Sequence, residues 1–237
     1  TYSQRFYPYQ IYAGSQDQGF QKSITSYNGV EDFEQTISGD YGHLVSGNDG
    51  ISVWANYPGF SIYYPDISNS NSSLSLDFPG TGHLWLAPII EYPNNPNKAI
   101  LGGGGINGGN HLIELSVDLS AQGNQIVYNQ NSFNFSGTVS AMGYSPIDSS
   151  YRYVLTENGK FYYSSDNGEN WNYNLSFNGP GAHYFYGSTI WASSSQLGKV
   201  FIGGSGYSNS PVYVSYNHGE TFTELNDGLP NTLVFEL

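Results

Sequence analysis

The side chains that could do chemistry in this sequence are few and far apart. Five histidines, His43, His83, His111, His183 and His218, never fall at His-x-His or His-x-x-x-His spacing, and there is no cysteine. The expectation is therefore no metal site, no disulfide and no cofactor. Gly102-Gly103-Gly104-Gly105, followed by Asn107-Gly108-Gly109, lacks the Lys-Ser/Thr ending of a phosphate loop and the helix that must follow it, so it reads as a long hairpin. Asp17 and Asp40 stand beside glycines, where a carboxylate caps the backbone N–H groups of a turn. Trp54, Tyr57, Tyr63, Tyr64, Trp85, Tyr184, Tyr186 and Trp191 offer flat faces that stack on sugar rings and also fill space between packed sheets. Of these, Trp54, Tyr57, Trp85 and Trp191 are the candidate ligand contacts.

The elements that must position these residues are short strands. The chain has 237 residues with a formal net charge of −13, and although only 11% of it is charged, 16% is aromatic. Such aromatic content excludes a disordered tail. Two arginines, Arg5 and Arg152, and four scattered lysines cannot neutralise a run of phosphates, which disfavours nucleic acid and anionic lipid as partners. Thirty glycines, abundant Ser and Asn, and strands too short to span a bilayer indicate a turn-rich all-β protein with no membrane insertion. No 11-residue window carries a helical period, so almost no helix is expected. The Ser/Asn/Gly/Tyr-rich composition, and a first residue other than Met, fit a processed extracellular protein or a piece of a longer one.

Self-similarity organises the chain. Segments starting at Gln10, Ile51, Lys98, Tyr151 and Lys199 each read as apolar strand, polar or glycine hairpin, second strand. With Ala13, Ala55, Leu101, Leu155 and Ile202 taken as equivalent, the steps are 42, 46, 54 and 47 residues. That period is one four-stranded propeller blade. The expected repeats are about 1–40, 41–82, 83–138, 139–187 and 188–231. His43–Val45, Leu84–Pro88, Val139–Met142 and Thr189–Ala192 are taken as inner strands, and Gln125–Tyr128 and Trp171–Leu175 as outer ones. Thr232–Leu237 reads as a last strand that either closes a five-bladed ring or starts a further blade of a larger propeller; the second reading is preferred.

Ser164-Ser165-Asp166-Asn167-Gly168-Glu169-Asn170-Trp171 has the form Ser-x-Asp-x-Gly-x-x-Trp, placed where a hairpin joins two strands of a blade. Asp bonds backbone N–H groups of its own turn, Gly takes φ > 0, and the aromatic folds back as a plug. Ser215, Asn217, Gly219 and Phe222 repeat the form 51 residues later, with Asn for Asp and Phe for Trp. Through Ser164, Asp166, Gly168, Trp171 and this second copy the chain resembles the Asp-box (BNR-repeat) β-propellers. Ile11–Gly19 followed by Gly39-Asp40-Tyr41-Gly42 is most similar to secreted or surface propellers of Bacteroidetes and to xyloglucanase-like glycoside hydrolases.

The resemblance implies an all-β propeller of about five four-stranded blades, with the Asp-boxes as scaffold. It implies an extracellular module for binding or adhesion whose partner is a polysaccharide or a surface protein, within a longer chain or assembly. It also implies two alternatives: a polysaccharide-active hydrolase fragment with Asp17 and Asp40 as the catalytic carboxylates, or a scaffold part of a secretion-linked assembly. Sialidase activity is not expected, because clamping a sialic acid carboxylate takes three arginines and the chain has two.

Overall fold

A computed structural model of the chain describes residues 2–3, 11–24, 32–40, 42–46, 51–66, 72–78, 80–120, 123–177, 188–204, 210–225 and 227–237. Among these residues twenty strands form five separate four-stranded antiparallel sheets, each in simple sequence order. Sheet 1 holds β1 (Tyr2–Ser3), β2 (Ile11–Ser15), β3 (Gly19–Ile24) and β4 (Asp32–Ile37); sheet 2 holds β5 (Leu44–Ser46), β6 (Val53–Tyr57), β7 (Phe60–Tyr64) and β8 (Leu74–Asp77). Sheet 3 holds β9 (Ile89–Tyr92), β10 (Asn95–Leu101), β11 (Ile113–Asp118) and β12 (Gln125–Gln130). Sheet 4 holds β13 (Val139–Tyr144), β14 (Arg152–Thr156), β15 (Phe161–Ser164) and β16 (Asn172–Tyr173). Sheet 5 holds β17 (Thr189–Ala192), β18 (Val200–Gly203), β19 (Val212–Ser215) and β20 (Thr223–Glu224). A 3-10 turn, Ile106–Gly109, lies in the glycine-rich hairpin between β10 and β11.

The chain divides into two compact units. Unit 1 comprises Thr1–Gly108 and Ile113–Asn131 and contains sheets 1 to 3; unit 2 comprises Gly109–Leu112 and Ser132–Leu237 and contains sheets 4 and 5. In unit 1, β6 and β7 of sheet 2 are buried on both faces, and the two-residue period of a strand explains how. Val53, Ala55, Ile62 and Tyr64 pack with Tyr12 and Phe20 of sheet 1. Their neighbours Trp54 and Tyr63 turn the other way, against Ile89, Ala99, Leu101, Ile113 and Leu115 of sheet 3. In unit 2, Ala141, Tyr153, Leu155 and Phe161 of sheet 4 pack on Val200, Ile202 and Tyr213 of sheet 5.

Two sequence expectations are corrected. Leu84–Pro88 is not an inner strand: its backbone turns, and pairing starts only at Ile89, after Pro88, which has no N–H to give to a ladder. Thr232–Leu237 joins no sheet either. Val234 instead docks at the end of sheet 5, donating its N–H to Gly204 O (2.9 Å) and accepting from Ser188 Oγ (2.5 Å).

Candidate functional site

In a four-stranded meander the hairpin between strands two and three, and the connection leaving strand four, emerge at the same end. Unit 1 therefore gathers at one end of its sheets the β2–β3 and β6–β7 hairpins and the β4–β5 and β8–β9 connections. This loop end holds Asp17, Asp40, Tyr57 and Trp85.

Asp17 is the middle residue of the Gln16-Asp17-Gln18 loop joining β2 to β3 and has φ 62°, a left-handed conformation that Asp tolerates. Its N–H donates to Asp40 Oδ1 (2.7 Å). Gln18 O accepts from Gln21 Nε2 and from Gln35 Nε2 (2.6 Å). Gly19 closes the loop with φ 73° where a Cβ would lie 1.9 Å from Ile37 O, so only glycine fits there. The structure thus brings Asp17 and Asp40 together, and it gives the Asp40 carboxylate a turn-holding bond.

Tyr57 is half-buried, stacks on Phe60 (centroids 4.7 Å, 21°), and lies against Gly39, one residue from Asp40. Trp85 is 59% exposed and Leu86 48%. Their loop is nevertheless anchored at every side. Asn56, buried at the end of β6, donates from Nδ2 to Ala87 O (2.7 Å) and accepts from Ser61 Oγ (2.6 Å). Leu84 N–H donates to Gly103 O (3.0 Å) and Gly102 N–H to Pro88 O (2.9 Å). Leu86 lies so close to Gly42 that a Cβ there would sit 2.7 Å from Leu86 Cδ2, and Gly42 N–H donates to Asn56 O (2.8 Å). His83 sits beside Gly59 of the β6–β7 hairpin, edge-on to Phe78.

Trp54 is no ligand platform. It is fully buried, its ring packs on Tyr63 (4.6 Å), and its Nε1 donates to Pro96 O (3.1 Å). Trp191, in unit 2, is 42% exposed beside its cross-strand neighbour Phe201 (5.5 Å). Asn56, Leu86 and His83 were missed by sequence reasoning. Asn56 left a signal, a polar residue ending the apolar run Val53-Trp54-Ala55; Leu86 was hidden inside a stretch that reads as a strand.

Unit 2 has a different device at the β15–β16 and β19–β20 turns. Ser164 Oγ accepts from the N–H groups of Asp166 (3.2 Å) and Gly168 (2.9 Å) and donates to Asp166 Oδ1 (2.7 Å). Asp166 in turn accepts from Asn170 N–H (2.9 Å) and Asn170 Nδ2 (2.7 Å). These bonds, with Asn170 first, draw the Asp166 carboxyl down to about 2. Ser215 repeats the pattern with Asn217 (3.2 Å) and Gly219 (2.8 Å), and Asn217 Oδ1 accepts from Thr221 N–H (3.0 Å). Trp171 lies edge-on to Phe135 (5.1 Å), and Phe222 packs on Phe161 (4.9 Å) and Phe177 (4.5 Å). Within the second turn His218, at φ 60°, stacks on Tyr151 (3.8 Å) and shares a hydrogen bond with Tyr153 (3.0 Å). Burial pulls the His218 imidazole down and pushes the Tyr153 phenol up.

Among the described residues no group of three or more His, Asp or Glu could hold a metal ion, and no helix is long and apolar enough to cross a membrane. No family model matches the chain, and no curated protein matches it. Solved structures do. A GH74 xyloglucanase from Xanthomonas campestris is similar with TM-score 0.55 and 13% identity, over 79% of this chain and 30% of that one. A functionally unknown protein from Desulfotomaculum acetoxidans is similar with TM-score 0.58 and 16% identity, over 92% of this chain and 65% of that one. The β-propeller domain of Cps50 (Swd1) from Myceliophteria thermophila gives 0.57 and 9%, over 84% of this chain and 60% of that one. At these identities the likeness is one of fold, and with five four-stranded antiparallel sheets it makes the chain a β-propeller protein. The chain spans less than two thirds of each of those structures.

Proposed function

We propose that this propeller is an extracellular binding module of the Asp-box type, secreted or attached to a cell surface, with the loop end of unit 1 as its binding face. Its partner is a polysaccharide or a surface protein, met as part of a longer chain or assembly. The observation that carries the reading is the placement of Trp85: a large aromatic held in water by a loop whose backbone is fixed at Leu84, Ala87 and Pro88. An indole exposed on a rigid backbone gains contact area without the cost of ordering its loop. Screening the protein against a glycan array and a panel of surface proteins tests it: Trp85→Ala abolishes the signal while thermal stability is unchanged. Retention of every bound partner by that variant defeats the reading.

A second reading, a polysaccharide-active glycoside hydrolase, draws on the meeting of Asp17 and Asp40 and on the propeller likeness to a xyloglucanase. Release of reducing ends from xyloglucan, lost in both Asp17→Asn and Asp40→Asn, is its expected outcome. Absence of release by the unaltered protein removes it.

A further inference from the structure

We infer that the occupant of the unit 1 loop end is a polypeptide segment carrying lysine or arginine beside an apolar residue; this rests on the reading of that end as a binding face. The argument is one of charge complementarity around an apolar anchor. Trp85 and Leu86 supply the anchor, exposed together and fixed by the Asn56–Ala87 bond and the contact with Gly42. Gly42 is two residues from Asp40, whose carboxylate accepts the Asp17 N–H, so Asp40 and the Asp17 turn share the loop end with the anchor. Among the described residues neither carboxylate has a cation partner, because the lysines of unit 1 are engaged elsewhere: Lys22 with Glu34 (3.3 Å) and Lys98 with Glu114. Among the described residues the loop end is therefore an apolar anchor accompanied by two carboxylates without a cation partner, in a chain whose net charge is −13.

A neutral sugar would use the indole face and leave those carboxylates unanswered. A lysine or arginine meets both, by pairing with the carboxylates and by lying over the indole, whose face attracts cations. An acidic glycan or acidic peptide is repelled.

The test uses the whole chain and three fluorescein-labelled dodecapeptides: Gly-Lys-Pro-Leu repeated three times, the same peptide with acetyl-lysine, and the same with glutamate. Cellohexaose competes as the neutral sugar. The lysine peptide is expected to bind saturably, about tenfold more weakly to Trp85→Ala and about threefold more weakly to Asp17→Asn and to Asp40→Asn. Asn at position 40 keeps an acceptor for the Asp17 N–H, so the turn survives, and unchanged thermal melting verifies this. Tyr128→Ala, an exposed aromatic on β12, serves as a control and is expected to bind normally. Acetylated and glutamate peptides are expected not to bind. Equal binding of the acetylated peptide, or indifference to both Asp substitutions, overturns the inference. Trp85-dependent binding of cellohexaose without the lysine peptide overturns it while leaving the binding face standing; indifference of every probe to Trp85 removes both.

Discussion

The loop end of unit 1 and the strand-three-to-four turns of unit 2 are both built from short loops, yet they use their side chains in opposite directions. At the turns, Ser164, Asp166, Ser215 and Asn217 bend back onto their own backbone, and Trp171 and Phe222 fold inward against other rings. Little is left over to meet a partner. In the Trp85 loop of that end the inward bonds come from Asn56, His83 and backbone groups, and the tryptophan is left exposed. Polar side chains that satisfy a turn make scaffold; a backbone-satisfied loop frees its side chains for recognition.

The largest effect that separates the two roles comes from the tryptophans. Trp54→Ala is expected to cost about 3–5 kcal/mol, because it empties a fully buried site and orphans Pro96 O, whereas Trp85→Ala is expected to stay within about 0.5 kcal/mol. Chemical denaturation of both variants measures this, and similar losses would erase the distinction between core and platform. Next is Gly219→Ala. A Cβ there would lie 2.0 Å from Phe161 Cε1 at φ 92°, so a loss of more than about 2 kcal/mol is expected. Gly228→Ala, with φ 76° and open space around it, should cost only about 1 kcal/mol. Smaller still, Ser164→Ala and Ser215→Ala each remove a hydroxyl serving two N–H groups and should each cost about 1–2 kcal/mol. Unequal losses would show that the two turns are not equivalent.

Much of this architecture is legible in the sequence, and the particular failures are instructive. Alternation in Ile51–Asp66 announces a hairpin, and the structure pairs Val53 with Tyr64 and Tyr57 with Phe60 around Pro58-Gly59. A blade-length period gives the all-β propeller because each sheet repeats one local grammar. Leu84–Pro88 misleads because an exposed apolar loop has the composition of a buried strand; what stops it is the proline, and what holds it is Asn56, 31 residues earlier. Trp54 and Trp85 are indistinguishable by type, since which face of β6 meets sheet 3 is decided by packing. The pairing of Asp17 with Asp40 is only half visible: both read as turn residues, but the bond between two separate turns is a tertiary fact.

The subtlest prediction exploits position three of the two turns, where one sequence has Asp166 and the other Asn217, and position four, where one has Asn167 and the other His218. Hydrogen bonds hold the Asp166 carboxyl at about 2, below its unfolded value of 3.8. A depressed carboxyl stabilises the fold above the unfolded value, and that contribution is lost as pH falls from 3.8 toward 2. Asp166→Asn should therefore flatten the melting curve in that window, and Asn217→Asp should steepen it. His218 acts at higher pH. Burial lowers its imidazole below 6.5 in the fold, with Glu220 and Asp148 opposing more weakly, so the unfolded chain takes the proton first. Its contribution is complete above 6.5 and fades as pH drops below it. His218→Asn restores the residue that the first turn carries at the same left-handed conformation, φ 61° against 60°. The difference in melting temperature between this variant and the unaltered chain should thus change between pH 7 and pH 5. A difference that stays constant would mean that the imidazole titrates as it does in water, and that the stack with Tyr151 and the bond to Tyr153 do not hold it.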